Sequence, residues 1–469
     1  MNGSRLKEPV KESPEACSVV EMIVILWGSA ALEDDMSEGP RVLRPDREQL
    51  YWDQIDLESQ IEPDHLARVI WSFVEGLDLS ALYAAIRARD DVAGRPTPDP
   101  KVLLALWLYA TAEGVGSARA LERLCRSHAA YRWLCGGVPV NYHGLSDFRV
   151  AHGALLDRVL TESVASLAAA GLVKLDEVAI DGTKVAANAG KPSYRDAEGL
   201  GEFEAAARKR VEHLRGELDG DPGASERRRR AAGERAARDV AARAEAARKK
   251  LEALQEEKKR REKTHPKEEA EKAESKVSTT DPDARIMMMP NGGGFRLAYN
   301  VLVSATTGSQ VILGVEVSER RNDAGIAEPM VQNLIDRHGH VPDRVLLDTK
   351  AATQADIIAL AQHPAGRITV YTTPPPDKDT ATAESIRKRA WRRGREPTVL
   401  QEWRARMASP DGRRIYDRRR QIETINAQLK NHGLRRFILR GLHKVRCEAL
   451  LHAIAHNLRR TRALKLART

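Results

Sequence analysis

The chain has 469 residues, with 76 Lys and Arg against 67 Asp and Glu, and a formal net charge of +9. This length is enough for two or three domains, and the positive excess suits a polyanionic partner without proving one. The four cysteines form no CxxC pair and no zinc-ligand spacing. A zinc-stapled or disulfide-rich protein is therefore not indicated, and a reduced, cytoplasmic protein is expected.

Residues 1–45 are predicted to be a poorly structured N-terminal extension. Their apolar run, Met22–Trp27, follows Glu21 rather than basic residues and is too short to span a bilayer. We therefore expect neither export nor a membrane partner. An over-called start codon is the other interpretation of the first part of this segment.

Residues 46–172 are predicted to form an all-α domain that binds DNA ends. Apolar residues recur at helical spacing, as in Leu66–Val74, and tight turns separate several short helices. Arginines, among them Arg119, Arg123 and Arg149, are interspersed with these helices. The pattern fits a helix-turn-helix DNA reader, or a helical bundle whose arginines are simply solvated. The sequence leaves both interpretations open.

Residues 173–198 and 276–465 are predicted to form the catalytic domain. Short strands and helices follow one another there in the order β-β-β-α-β-α-β-α. Three strands in succession, followed by alternation of strand and helix, is the order of an RNase H-like mixed sheet. The predicted fold class is therefore α/β, with helices on both faces of the sheet.

Residues 199–275 interrupt that domain and are dominated by Ala, Glu, Lys and Arg. This composition predicts a charged, coiled-coil-like helical insertion, split at Asp219–Gly223 and ending at His265 and Pro266. Its apolar seam is mostly alanine, which makes a weak coiled coil. The run Arg227–Arg230 could contact phosphates, although such a run is more often only a solvated face.

Two aspartates follow apolar strand segments. Asp181 comes directly after Val178–Ile180, and Asp348 directly after Val345–Leu347. Ligands of α/β sheets bind at the carboxyl ends of strands. Two such aspartates on neighbouring strands, with a glutamate from a packed helix, could bind a pair of Mg²⁺ ions. Each aspartate alone is weak support, because Asp often ends a strand as a turn residue.

A polar stripe marks the predicted helix that begins near Tyr416. Tyr416, Arg419, Glu423 and Lys430 are separated by 3, 4 and 7 residues, which predicts one shared helical face. A tyrosine, two cations and a carboxylate suit a surface that holds a metal with phosphates on either side. An ordinary exposed face with ion pairs at helical spacing is the alternative.

A basic segment precedes that helix. Arg387, Arg389, Arg392 and Arg393 are interleaved with Trp391, a pattern that suits contact with a phosphate backbone and stacking on bases. A solvated basic loop is the alternative. There is no P-loop motif, so no nucleotide cofactor is expected.

The spacing Tyr416-x2-Arg419-x3-Glu423-x6-Lys430 resembles the Tyr-Arg-Glu-Lys signature of one branch of the DDE insertion-sequence transposases. Further stretches similar to that family are residues 147–149, 180–184, 187–188, 280–285, 299–300, 403–407, 433–437 and 455–458. The resemblance spans about residues 40–465.

The resemblance implies a catalytic triad of Asp181, Asp348 and Glu423 that holds two Mg²⁺ (or Mn²⁺) ions. It also implies that Arg419 and Lys430 contact the element's terminal DNA. Tyr416 would help to position that DNA.

The implied reaction is cleavage at the element ends, followed by strand transfer by the freed 3′-OH. The implied partners are double-stranded DNA, comprising terminal inverted repeats and target, and a second copy of the chain on that DNA. The implied place is the bacterial cytoplasm, at the nucleoid.

One departure from the family opens an alternative. Asp348 is followed by Thr349, Lys350 and Ala351, where relatives carry small residues, often glycines. Glycines would allow a sharp turn there. A catalytically impaired, DNA-binding remnant of a transposase is therefore the second hypothesis, and a nuclease of the same fold is the third.

Overall fold

The computed structural model describes residues 56–86, 96–218, 224–264, 275–290, 292–375, 391 and 393–467. All of these belong to one of two compact units, Ile55–Thr469. The predicted extension 1–45 and the predicted DNA-binding residues Arg387, Arg389 and Arg392 lie outside the described residues.

The first part of the described chain is helical. Its helices are α1 Leu66–Glu75, α2 Ser80–Ala85, α3 Pro100–Ala112, α4 Ala118–Ser127, α5 Ala129–Cys135, α6 Tyr142–Ala151 and α7 Gly153–Ala169. Helix α3 is buried around almost its whole circumference, as expected for a helix that is apolar on all sides. The Asp99 side chain caps it by accepting from Lys101 N at 2.8 Å. Trp107 Nε1 ties α3 to α6 by donating to Leu145 O at 2.8 Å.

A mixed sheet follows. Its strands are β1 Glu177–Ala186, β4 Arg285–Met288, β5 Phe295–Thr306, β6 Ile312–Ser318, β7 Arg344–Leu347 and β8 Thr369–Tyr371, and the short strands β2 Tyr194–Arg195 and β3 Val277–Ser278 pair separately. Strand β5 is antiparallel to β1, β4 and β6. On the edge away from β5, β1 pairs with β7 in parallel, and β7 pairs with β8 in parallel. The described part of the chain is thus a mixed α/β fold, as the α/β prediction required.

Strand β1 continues five residues beyond its predicted end at Asp181. Its parallel pairing with β7 does stop at Ile180, but on its other edge β5 pairs with β1 as far as Ala186. The ladder to β5 satisfies the backbone of this extra stretch, so the strand has no reason to end. Asp181 therefore lies within a strand, at the point where the neighbouring strand finishes.

Between β2 and β3 the chain forms two helices, α8 Ala197–Leu218 and α9 Ala224–Thr264. They pack on each other through small buried residues, among them Ala207, Ala244 and Ala247. The Lys250 Nζ–Glu319 Oε1 ion pair, at 2.5 Å, fixes α9 to the segment that follows β6. The charged insertion is therefore packed on the body at this point rather than solvated along its whole length.

The remaining helices are α10 Ala327–His338, α11 Gln354–Ala361, α12 Thr398–Ala408, α13 Pro410–Asp417, α14 Arg420–Asn431 and α15 Leu442–Leu466. Helix α15 contacts both the helical region and β6, and one continuous apolar core joins the two. Asn457 of α15 is fully buried; it accepts from Ile312 N and donates to Ile312 O, both at 2.8 Å. None of the helices in the described ranges is long and apolar enough to cross a membrane.

Candidate active site

The parallel pairing of β1 and β7 brings the two predicted aspartates together. Ile180 is in register with Leu347, and the next residues along the two strands are Asp181 and Asp348. Neighbouring strands lie about 4.8 Å apart. The negative charge of Asp348 is close enough to raise the pKa of Asp181. The carboxyl edge of the sheet thus carries an acidic pair.

Asp181 is held in a largely buried position. Burial raises the pKa of its carboxyl to about 6, because the ionised form loses hydration; Asp323 and Asp348 add to this rise, and Arg419 opposes it. Asn426 of α14 donates from Nδ2 to Asp181 Oδ2 at 2.9 Å. A carboxylate with a pKa near 6 in such a place is a candidate for a functional group.

The predicted stripe from Tyr416 to Lys430 does not lie on one uninterrupted helix. Helix α13 ends at Asp417 and α14 begins at Arg420, with the 418–419 segment closed by shorter i to i+3 hydrogen bonds. That single-helix prediction was wrong at the break, because local spacing cannot distinguish a tight turn of right-handed backbone from a continuous helix.

Contact between neighbouring side chains of the stripe survives the break. The Arg419 guanidinium lies 5.7 Å from the centre of the Tyr416 ring and donates from Nη2 to Glu423 Oε1 at 2.6 Å. Burial would lower the pKa of Arg419, but Tyr416, Glu423 and Asp181 outweigh it and raise that pKa. Arg419 therefore acts as the positive centre between Asp181 and Glu423.

Lys430 is the second cation near Asp181. Burial lowers the pKa of its ammonium group, and the negative charge of Asp181 offsets part of that effect. The side chain is half-buried rather than freely solvated. A lysine in this position can hold a phosphate against the acidic pair.

Glu423 stands apart from the two aspartates. Its side chain is 56% exposed and is paired with Arg419. Across the described ranges of the chain, no three Asp, Glu, His or Cys side chains are arranged so that they could hold a metal ion together. The structure therefore brings Asp181 and Asp348 together and leaves Glu423 turned towards Arg419.

Two residues of this region were missed by the sequence-based reasoning. Asn426 lies one turn beyond Glu423, and its Oδ1 is buried without a hydrogen bond from any described residue. Asp323 lies in the segment between β6 and α10. The position of Asn426 three residues after Glu423 was a usable signal, because i and i+3 share a helical face. No local pattern pointed to Asp323.

Asp323 lies against the opposite face of β1 from Asp181. Its carboxylate pairs with Lys184 Nζ at 3.4 Å and accepts from Asn300 Nδ2. A Cβ built on Gly182 would lie only 2.4 Å from Asp323 Oδ1. Successive residues of a strand face opposite sides, so Asp181 points towards α14 while Gly182 leaves room for Asp323. Any larger residue here would displace the Asp323 carboxylate.

The turn after Asp348 forms without glycine. Ala351 N donates to Asp348 O at 2.9 Å, and Lys350 is exposed. Among non-glycine residues of the described chain, only Gln310 has a positive φ, so Thr349 and Lys350 are in conformations open to any residue. The turn therefore does not require the glycines that relatives carry there.

Arginines of the basic segment and of the helical region occupy different environments. Arg395 stacks on the exposed Trp391 ring at 3.9 Å, and Arg393 lies beside them in sequence. Arg149, by contrast, is buried; it donates from Nη1 to Gly116 O at 2.5 Å and lies over the Trp107 ring. The two interpretations of the helical region assumed arginines that face DNA or are solvated. Arg149 fits neither, because it is buried.

Two family models match parts of the chain. Residues 55–151, which include α1 to α6, match a family described as a transposase domain (DUF772). Residues 380–462, which include α12 to α14 and most of α15, match a family described as a transposase DDE domain. Both matches support an insertion-sequence transposase. No curated protein and no solved structure matches the chain.

Proposed function

We propose that this chain is a DDE-class transposase and that its catalytic carboxylates are Asp181, Asp348 and Glu423. The proposal starts from the two transposase matches. One observation carries the assignment of residues. The parallel pairing of β1 with β7 sets Asp181 beside Asp348, and Asn426, from the same helix as Glu423, donates a hydrogen bond to Asp181. Three separate segments of the chain thus converge on one edge of the sheet.

The strand order supports an RNase H-like catalytic domain. The principal strands run β6-β5-β1-β7-β8, with the first three antiparallel and the last two parallel to β1. This arrangement places the acidic pair on the central strand and on its parallel neighbour. Helix α14 contacts β1 and β5, so it can carry a third carboxylate to the same edge.

The donor chemistry of these residues fits a hard divalent cation. Asp181, Asp348 and Glu423 offer only oxygen atoms, the ligands that Mg²⁺ and Mn²⁺ take in proteins. When bound, two such ions lower the pKa of an attacking water or 3′-hydroxyl and stabilise the leaving oxygen. Glu423 joins the aspartates only after its carboxylate leaves Arg419, which an arriving DNA phosphate would favour by competing for the guanidinium.

The cations beside the acidic pair position DNA in this proposal. Arg419 and Lys430 contact phosphates of the transposon end, and Tyr416 orients that end against Arg419. Trp391 with Arg393, together with the predicted contacts of Arg387, Arg389 and Arg392, extends the DNA path. The bound DNA ends and a second protomer complete the assembly.

The proposed reaction has two phosphoryl-transfer steps, a hydrolysis followed by a transesterification. In the first, water attacks the phosphorus at the element boundary, the P–O3′ bond breaks, and a proton passes to the departing 3′ oxygen. In the second, that 3′-hydroxyl attacks a target phosphorus and displaces the target's own 3′ oxygen. The charged groups around Asp181 hold the phosphate in line for both steps.

The turn after Asp348 supports a working site rather than an impaired remnant. Thr349 and Lys350 adopt ordinary backbone conformations, and Lys350 is exposed to solvent. A strained turn would favour an impaired remnant, but the backbone of Thr349 and Lys350 is not strained. We therefore propose an active enzyme.

The proposal is tested by incubating the full-length protein with Mg²⁺, a duplex carrying the element's own terminal sequence and a supercoiled target plasmid. Asp181→Asn, Asp348→Asn and Glu423→Gln should each lower cleavage and joining by at least about 1,000-fold, since the metals' charge stabilisation is lost. Asp336→Asn, on an exposed face of α10, is the matched control and should retain activity. Cleavage that persists in Asp181→Asn overturns the assignment, and cleavage without joining in the unaltered protein indicates a nuclease.

A further inference from the structure

A cleft of about 1030 Å³ lies between helix α9 of the charged insertion and a corner formed by residues 438–441 and the first turn of α15. Ala242 and Ala246 line the cleft from α9, and Ile438 and Leu439 line it from the corner. The cleft is separate from the acidic pair, since none of Asp181, Asp348 and Glu423 lines it. It is the place where the insertion faces the rest of the molecule.

The cleft is strongly basic. Five cationic side chains line it against two carboxylates, Asp239 and Asp283. Asp283 is already engaged, because its Oδ2 accepts from Leu442 N at 2.9 Å. The cations are Arg243, Lys249, Lys250, Arg440 and Lys444.

Three of those cations have no ion-pair partner among the described residues. Lys249 pairs with Glu245 and Lys250 with Glu319, but Arg243, Arg440 and Lys444 have no carboxylate within 4.0 Å in the described part of the chain. Arg243 also keeps its Nε buried without a hydrogen-bond partner there. A half-buried guanidinium without a partner lowers its free energy by binding an anion.

The corner beside the cleft is rigid. Asp281 is buried; it accepts from Tyr299 Oη at 2.6 Å and from Gly441 N at 3.1 Å. Arg440 donates from Nε to Asn188 O at 2.9 Å. The conspicuous 280–285 stretch of the sequence therefore fixes the corner that carries Arg440 and Lys444, and cations held this way lose little entropy on binding.

The cleft lies beyond the far end of β1 from Asp181. Strand β1 runs five residues past Asp181 to Ala186, and Asn188 lines the cleft. Asn188 is seven residues beyond Asp181, so at about 3.3 Å per residue the two lie at most ~23 Å apart, which is close to seven base pairs of duplex at ~3.4 Å each. A duplex that is cleaved at the acidic pair can therefore reach the cleft within one helical turn.

We propose that this cleft binds the phosphate backbone of duplex DNA beside the cleavage point, with Arg243 from the insertion and Arg440 and Lys444 from the corner as the phosphate ligands. The inference rests on the proposed function and adds a role for the insertion: it closes one side of the DNA path. The contacts go to phosphates, so they add affinity and register rather than sequence recognition.

The test measures the affinity of the full-length protein for a 40-base-pair duplex of arbitrary sequence across a series of salt concentrations. Each phosphate contact contributes about 0.9 to the slope of log affinity against log salt. Arg243→Gln and Lys444→Gln should each reduce that slope by about 0.9. Lys259→Gln is a control on the same helix but outside the cleft; Lys259 pairs with Glu256, and this change should leave the slope unchanged.

An unchanged salt slope in both cleft variants, each checked for its fold by circular dichroism, would overturn this proposal. If light scattering also shows a changed oligomeric state in those variants, the cleft is a contact between protomers instead. DNA binding requires no catalysis. If neither cleft variant changes the salt slope while Asp181→Asn abolishes cleavage, the cleft proposal fails and the proposed function stands.

Discussion

At the scale of single residues, the Asp181 carboxyl of the candidate site is strongly altered by its surroundings. It is buried beside Asp323 and Asp348, and its pKa is raised from 3.8 to about 6. Near neutral pH it is ionised in the folded protein, at a cost that the neighbouring Arg419 only partly offsets. Active sites commonly hold such unfavourable charge, because the same charge binds metal or substrate.

Asp181→Asn should therefore stabilise the protein at neutral pH. The folded pKa lies above the unfolded one, so the destabilising effect of Asp181 is absent below about pH 3.8, grows as the pH rises towards 6, and is complete above that. The shift corresponds to about 3 kcal/mol as an upper bound. We expect the free energy of unfolding in urea to rise by about 1–3 kcal/mol at pH 7.5, with a smaller gain at pH 5.

Asp336→Asn provides the control for this measurement, since that aspartate is exposed and accepts a hydrogen bond from Gln332 of its own helix. It should change the free energy of unfolding by less than about 0.5 kcal/mol at either pH. A gain for Asp181→Asn that is equal at pH 5 and pH 7.5 would show that the charge of Asp181 does not oppose folding.

At the scale of elements, the close approach of the 319–326 segment to β1 depends on Gly182. A side chain there would meet the carboxylate of Asp323, which is itself tied to Lys184 and Asn300. Gly182→Ala should lower the free energy of unfolding by about 1–3 kcal/mol, because the Asp323 carboxylate must move away from Lys184 and Asn300. Chemical denaturation measures this.

The matched control is Gly201→Ala in α8, where a Cβ would have nothing within 4 Å. Alanine is a better helix former than glycine, so this change should be neutral or stabilising by up to about 1 kcal/mol. If Gly182→Ala behaves like Gly201→Ala, the packing of Asp323 against β1 is not tight.

Elements with strong local patterns could be predicted from the sequence. The strand before Asp348 agrees with the structure, because an apolar run acts locally. The predicted end of the insertion helix at His265 and Pro266 lies outside the described residues. The extension of β1 past Asp181 depends on β5, more than a hundred residues away in the chain. The hydrogen bond from Asn426 to Asp181 and the placement of Asp323 are likewise non-local, because the spacing from Glu423 marks the helical face of Asn426 but not its partner.

At the scale of the whole molecule, helix α15 joins the helical region to the sheet. Asn457 supplies both hydrogen bonds that the backbone of Ile312 needs at the buried start of β6. Asn457→Ala would leave a buried N–H and a buried carbonyl without partners. We expect a loss of about 2–4 kcal/mol in the free energy of unfolding. Asn333→Ala, on an exposed face of α10, should cost less than about 1 kcal/mol, and an equal loss in both variants would contradict this role of Asn457.

The central claim is that Asp181, Asp348 and Glu423 are direct metal ligands for DNA cleavage. It is tested most directly by changing each to cysteine and comparing cleavage with Mg²⁺ and with Mn²⁺. A thiolate is a poor ligand for Mg²⁺ but accepts softer Mn²⁺ more readily. We expect each cysteine variant to be inactive with Mg²⁺ and at least ten-fold more active with Mn²⁺, while Asp336→Cys stays active with both. Full activity of the three variants with Mg²⁺, or loss that Mn²⁺ does not reverse at any of the three positions, would contradict the account.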